Sequence, residues 1–185
     1  APPQDITSNW DFKDNRARVF IIERDRRDTV IRGYYQPQGN RYYARASMQN
    51  MKLALISPFL KDIISDIEGD ADIEARIVGE GRQATLSGSA TVDDIGATVD
   101  YTKVRYRAPK AELIIKDNHF IAERVPVSDM EGNRGSFSMD ISLERLSNIT
   151  YDIDVEARDM LVIDTDSKDN DLFYGHDYGS GTLSF

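Results

Sequence analysis

The sequence predicts an all-β protein whose strands follow one another as an antiparallel meander. Three observations predict it: apolar and polar residues alternate with a period of two, turn residues interrupt the alternation at short intervals, and one segment alone shows helical spacing. Period-two alternation is typical of strands with one buried face. Short turns between such strands favour hairpins over crossover helices.

Four stretches alternate strictly, with apolar or small residues at every second position and charged or hydroxyl side chains between them. They are residues 70–77, 85–92, 136–143 and 150–157. Less regular runs predict further strands at 19–23, 29–35, 42–48, 97–101, 113–116, 120–124, 160–164 and 182–185. The total is about a dozen strands, which is a number typical of one extended meander.

Turn chemistry separates these strands. Gln38-Gly39-Asn40 and Glu131-Gly132-Asn133 predict hairpin connections, and Lys116-Asp117-Asn118-His119 predicts a tight turn. Gly79-Glu80-Gly81 is followed by no helix and lacks the last glycine of a dinucleotide-binding loop, so we interpret it as another turn between strands.

The exception is a segment that predicts a short amphipathic helix over residues 58–68. Ser57 suits the cap, Pro58 suits the first helical position, and Gly69 stands where a helix would stop. Its apolar residues fall on one stripe, which we expect to pack on the sheet: Ile56, Phe59, Leu60, Ile63, Ile64 and Ile67.

Composition excludes several classes of function. The net charge of −9, from 32 acidic and 23 basic side chains, argues against nucleic-acid binding. The absence of Cys excludes disulfides and thiolate metal sites. No apolar run approaches the roughly 20 residues of a membrane helix. Because the chain begins Ala1-Pro2-Pro3-Gln4, we expect a fragment or processed chain whose membrane anchor lies outside it.

Few residues are candidates for catalysis or metal binding, and we expect no catalytic set, cofactor or metal. His119 and His176 lie in turn-like or loop-like stretches, where solvated histidines are ordinary, and no G-x-S-x-G elbow occurs. The acidic loop 164–171 fails as a helix-loop-helix calcium site because Lys168 and Gly175 stand where oxygen ligands are needed. An irregular ion site in that loop is the weaker alternative to a solvated loop.

The remaining feature is a long apolar face formed by alternate residues of the strands. Its small residues are Ala71, Ala75, Gly88, Ala90, Ala97 and Ala157. Its large residues are Ile73, Ile77, Leu86, Val92, Val99, Leu113, Ile115, Phe137, Met139, Ile141, Leu143, Ile153, Val155, Leu183 and Phe185. Such a face either packs as the core of a β-sandwich or lines an open channel, and the pattern alone favours the packed core.

The C-terminal half resembles the TamB family as found in Bacteroidetes-type bacteria. The resemblance rests on Asp169-Asn170-Asp171-Leu172-Phe173-Tyr174-Gly175, on Tyr178-Gly179-Ser180-Gly181-Thr182-Leu183 and on the hairpin Asp129-Met130-Glu131-Gly132-Asn133-Arg134-Gly135. Ser57-Pro58-Phe59-Leu60 and Ala84-Thr85-Leu86-Ser87-Gly88 agree with it, so it covers most of residues 40–185.

The resemblance implies a fold and a function. TamB belongs with the AsmA-like proteins, whose repeated β-sheet curls into an open, taco-like trough with an apolar interior. Members are anchored in the inner membrane, extend across the periplasm and partner an outer-membrane protein of the Omp85 type. They are implicated in outer-membrane protein assembly and secretion and in phospholipid transport. On this basis we expect residues 1–185 to form one trough segment of a longer repeat protein.

Two functions follow as expectations. The first is a passive periplasmic conduit whose apolar groove carries phospholipid or an unfolded outer-membrane protein segment. The second, kept as the alternative, is a closed β-sandwich that binds a small ligand or docks a protein. Exposed edge strands offer the conduit a further mode, in which a client strand adds to the sheet.

Overall fold

The described part of the chain forms a single sheet of eleven antiparallel strands that pair in sequence order from first to last. The computed structural model describes residues 4–23, 29–60, 64–144, 148–166, 168 and 174–184. The strands are β1 Gln4–Asp11, β2 Arg16–Glu23, β3 Thr29–Gln36, β4 Arg41–Lys52, β5 Ile64–Glu80, β6 Gln83–Val99, β7 Arg105–Lys116, β8 His119–Ser128, β9 Arg134–Glu144, β10 Asn148–Thr165 and β11 Gly175–Ser184.

The sheet is open, because β1 and β11 are its two edges and do not pair with each other. The predicted all-β meander is therefore confirmed. The predicted turns at 38–40, 79–81, 116–119 and 131–133 each lie at the junction of two strands. The described strands form one sheet, so the two-sheet sandwich kept as the alternative is not the architecture of this part of the chain.

The predicted helix over residues 58–68 is wrong. The structure has a 3₁₀ helix over Leu53–Phe59, with Pro58 inside it, and β5 already begins at Ile64. Residues 61–63 lie outside the described part. Two features cause the error. The 3₁₀ helix itself contains Ile56 and Phe59 at a spacing of three. A β-bulge follows: the register of β5 shifts between Ser65 and Glu68, and Asp66 has a φ of +49°. A bulge inserts one residue, so Ile64 and Ile67 are spaced by three, as in a helix.

β-Bulges of the same kind occur in other strands. Register shifts follow Met48 in β4, Ala122 in β8 and Ala157 in β10. In each case a residue with φ near +50° lies inside the shifted step. Bulges bend a strand and increase its local twist. Repeated bulges therefore curl a sheet that would otherwise be flatter. The residues concerned are Asn50, Arg124 and Asp159.

β7 and β10 come into contact at the end of the β8–β9 hairpin that lies between them in the sheet. The Tyr106 hydroxyl, on β7, donates a hydrogen bond to the Leu161 carbonyl on β10 at 2.9 Å. The Asp164 N–H donates to the Thr102 carbonyl, also at 2.9 Å. In a flat sheet three strand spacings would separate β7 from β10 by about 14 Å. The two strands therefore converge at the end of the β8–β9 hairpin, whose turn lies between Ser128 and Arg134.

Asp129 is the polar centre of this contact. It is 3% exposed and begins the β8–β9 turn, where it accepts hydrogen bonds from the backbone N–H groups of Glu131 and Asn133. It also accepts from the Asn133 side chain and from the Leu161 N–H of β10 at 2.8 Å. Burial raises the pKa of Asp129, but the hydrogen bonds from Leu161, Asn133 and Glu131 outweigh it and lower that pKa below its ordinary value. The carboxylate is thus held ionised.

Candidate functional site

The apolar face is continuous across the sheet. One row of residues placed opposite each other by register crosses ten strands and contains only apolar residues and one tyrosine. It reads Ile6, Ile21, Ile31, Ala46, Ala75, Gly88, Ile115, Phe120, Ile141 and Tyr151. Directly opposed residues of neighbouring strands share a face. A second, partly parallel row carries Met48, Ile73, Ala90 and Leu113.

Burial along the first row varies from its centre to its ends. Ile115 is 5% exposed, whereas Ile6 at one end is 66% exposed and Tyr151 at the other is 61% exposed. On β5 the residues of this face are buried or half-buried, and the residues between them, such as Asp72 and Glu74, are exposed. The apolar face is therefore the more enclosed face of the curled sheet, but it is not sealed.

The centre of the apolar face is a small cluster made mainly of alanines. Its buried members are Ala71, Val92, Ala108, Ala111, Ala122 and Val125. Met51, Leu53, Ile73, Ile95, Leu113, Val127, Phe137 and Met139 pack against it. Leu53 belongs to the 3₁₀ helix, so this short helix covers part of the face at the β4–β5 connection.

Register places most of the predicted groove residues together on this face. They are Ile73, Ile77, Leu86, Val92, Leu113, Ile115, Phe137, Met139, Ile141, Ile153 and Val155. Leu143 lies two residues beyond Ile141 on β9, opposite residue 149, and Leu183 is opposite Val155. Val99 ends β6 opposite Ile64. Phe185 lies outside the described residues. That these residues line a transport groove stays a prediction.

Sequence reasoning missed part of the centre of the face. Ala108 and Ala111, like Ala122 and Val125, are three residues apart, and each pair contributes to the buried cluster. The β8 pair spans the register shift that begins at Ala122. A period-two pattern cannot detect such pairs, because two exposed residues in succession break the alternation. The sequence did contain an indication of these pairs, because their apolar residues are three positions apart inside segments that otherwise alternate.

His176 lies on β11 and not in a loop. Its Nδ1 is 3.0 Å from Asp164 Oδ1, and its Nε2 is 3.2 Å from Glu131 Oε1 and 2.9 Å from the Tyr178 hydroxyl. The Asp164 hydrogen bond is the main cause that raises the pKa of His176, and Glu131 adds to it while desolvation opposes it. The protonated imidazole donates from both nitrogens. The cluster ties β11 to β10 and to the β8–β9 turn.

Of the other candidates for chemistry, His119 is separate from this cluster, and the acidic loop touches it only through Asp164. His119 Nδ1 is 2.7 Å from Asp140 Oδ1 at the start of β8. Much of the acidic loop 164–171 lies outside the described residues, and within it the Lys168 N–H donates to Asp166 Oδ1 at 2.7 Å. Among the residues that the structure describes, no group of three or more His, Asp or Glu side chains is arranged to hold a metal. The expectation that the chain is not an enzyme stays a prediction.

Comparison with known proteins finds no match among family models, curated proteins or solved structures. Within the described residues, no helix has the length and apolar character needed to cross a bilayer. The feature that remains as the candidate functional site is the apolar face itself.

Proposed function

We propose that this chain is a non-enzymatic, periplasmic segment of a TamB-like protein. Its apolar face shields the acyl chains of phospholipids, or apolar segments of outer-membrane proteins, between the inner and outer membranes. The observation that carries the proposal is the continuous apolar row across ten strands of an open, curled sheet. The link to the TamB family rests on the motifs near residues 129–135 and 169–183.

The physical reason for such a face is the cost of apolar surface in water. Each methylene of an acyl chain transferred out of water gains about 0.8 kcal/mol. The residues of the row are aliphatic or aromatic, and almost none carries a hydrogen-bonding group that would fix one position of a guest chain. A lining of this kind favours movement along the face over tight binding. Charged headgroups remain at the open side.

The two sheet edges give a second way to engage a client. Among the strands that the structure describes, β1 and β11 each have a neighbour on one side only. An unpaired edge offers N–H and C=O groups to an incoming strand, which is how extended peptides add to sheets. An unfolded outer-membrane protein segment, or an Omp85-type partner, is the kind of chain that would use such an edge in this proposal.

The proposal predicts that a carboxylate on the apolar face blocks transport while the fold survives. Ile141 and Ile153 lie on this face and are half-buried, outside the set of side chains packed against the central cluster. For Ile141→Asp and Ile153→Asp we expect destabilisation of about 1–2 kcal/mol, because both positions keep contact with water. Lipid transport or outer-membrane protein assembly, measured with the intact protein, should be lost.

Ile114→Asp is the matched control. Ile114 is on β7, next to Leu113 but on the opposite face, and it is 59% exposed. Transport with Ile114→Asp should equal that of the wild type. Loss of cooperative unfolding in both apolar-face variants would mean that the face is a packed core. Normal transport in both, with the variants folded, would remove the apolar face from the mechanism.

A further inference from the structure

Three arginines face one another across neighbouring strands on the other side of the sheet. Arg32 on β3 is opposite Arg45 on β4, and Arg45 is opposite Arg76 on β5. All three side chains are exposed. Neighbouring strands lie about 4.8 Å apart, so this arginine row spans about 10 Å.

The arginine row is costly in the absence of a ligand, because like charges directly opposite each other destabilise a sheet. Arg45 forms an ion pair with Glu74 at 3.2 Å. Arg76 Nε donates to the Ser87 hydroxyl at 2.7 Å, and the Arg32 guanidinium lies 5.1 Å from the centre of the Phe20 ring. Among these contacts, Glu74 is the one carboxylate that pairs with any of the three guanidinium groups. The row therefore keeps a positive charge.

The register row beside the arginines carries two tyrosines, and a further arginine packs on one of them. Tyr34 and Tyr43 stack with ring centres 5.7 Å apart in the adjacent register row, and the Arg16 guanidinium lies 4.6 Å from the centre of the Tyr34 ring. Residues 1–52 carry ten basic and six acidic side chains, whereas residues 53–185 carry 13 basic and 26 acidic ones. The charge of the chain is thus strongly asymmetric.

We propose that the arginine row and its aromatic neighbours are a docking surface for the anionic phospholipid headgroups of a membrane. Guanidinium groups bind phosphate oxygens in pairs. A single phosphate is too small to bridge 10 Å, whereas a layer of headgroups presents many phosphates to an exposed sheet face. The acidic remainder of the chain is repelled by the same membrane, so the asymmetry orients the chain with its β2–β4 end toward the surface, and Arg76 on β5 lies at the border of the acidic part.

The experiment is co-sedimentation of the chain with phosphatidylcholine vesicles that contain or lack phosphatidylglycerol. We expect binding only to the vesicles with phosphatidylglycerol, and release as the ionic strength rises and the Debye length shortens toward about 3 Å at 1 M. Each basic side chain at an anionic surface contributes about fivefold to the partition coefficient, so Arg32→Gln/Arg76→Gln should lower it by about 25-fold. The melting temperature of this variant should stay the same or rise, since repulsion is removed.

Lys116→Gln/Arg158→Gln is the matched control, because it removes the same charge from exposed positions in the acidic part of the chain. Its partition coefficient should change by less than about twofold, given how steeply electrostatic attraction falls with distance. Ile153→Asp should bind vesicles like the wild type, which separates this surface from the apolar face. Equal binding to vesicles without phosphatidylglycerol would overturn the proposal. So would an equal loss in the control, or binding of a soluble acidic peptide with no binding of vesicles.

Discussion

Asp129→Ala is expected to destabilise the protein by about 3 kcal/mol. The substitution removes one carboxylate that accepts four hydrogen bonds, and it leaves the buried N–H of Leu161 without that acceptor. Hydrogen bonds to a buried charge contribute about 1.5–3 kcal/mol each and are not additive. Urea denaturation followed by circular dichroism measures the change, with Asp152→Ala on the exposed face as a control expected within about 0.5 kcal/mol.

The same carboxylate predicts how stability depends on pH. The pKa of Asp129 is lowered in the folded state from its ordinary value of 3.8. Its contribution is therefore fully present above pH 3.8 and is lost as the pH falls through the lower, folded-state pKa. Asp129→Asn, which keeps the shape but loses the charge, should flatten the acid limb of the stability curve. An unchanged acid limb in Asp129→Asn would contradict the assigned role.

Gly88→Ala is the second substitution with a large expected effect, about 3 kcal/mol of destabilisation. Gly88 has a φ of +156°, and a Cβ at this position would lie 2.0 Å from the Glu74 carbonyl oxygen and 2.8 Å from the Ala75 Cα. Both neighbours are backbone atoms of the adjacent strand, so β5 and β6 must separate. Backbone strain and overpacking each cost about 1–3 kcal/mol.

Gly81→Ala separates the two contributions. Gly81 lies in the turn between the same two strands and has a φ of +61°, but no atom lies within 4 Å of its added Cβ. Its substitution should cost only the backbone term, about 1–2 kcal/mol. Equal losses of stability in Gly81→Ala and Gly88→Ala would show that β5 and β6 are not as close as the structure has them.

The strands were predictable wherever polar and apolar residues alternate without interruption. The stretch from Asp70 to Ile77 is an example: it carries charge on one face and apolar or small residues on the other, and it lies inside β5. The first strand, Gln4–Asp11, was not predicted, because Thr7, Ser8 and Asn9 give no apolar alternation. This segment forms a strand through its pairing with β2 along its whole length, and its own sequence does not indicate that pairing.

Bulges explain most of the remaining differences. The bulge at Asp66 turns an apolar spacing of two into one of three, and that spacing contributed to the false helix. The same effect hid Ala122 and Val125, which belong to the centre of the apolar face. Contacts at the end of the β8–β9 hairpin, such as Tyr106 with Leu161, join residues 55 positions apart. They depend on how far each strand extends past its neighbours, which a period-two pattern does not encode.

The most direct test of the proposed function is whether the purified chain holds lipid. Native mass spectrometry after mild expression, with organic extraction of the same sample, should find bound phospholipid in the wild type and in Ile114→Asp. Ile153→Asp should be folded and free of lipid, because its carboxylate would face the acyl chain on the apolar face. A wild-type chain that is tightly folded, carries no phospholipid and takes none up from mixed micelles would contradict the proposal that this face shields acyl chains.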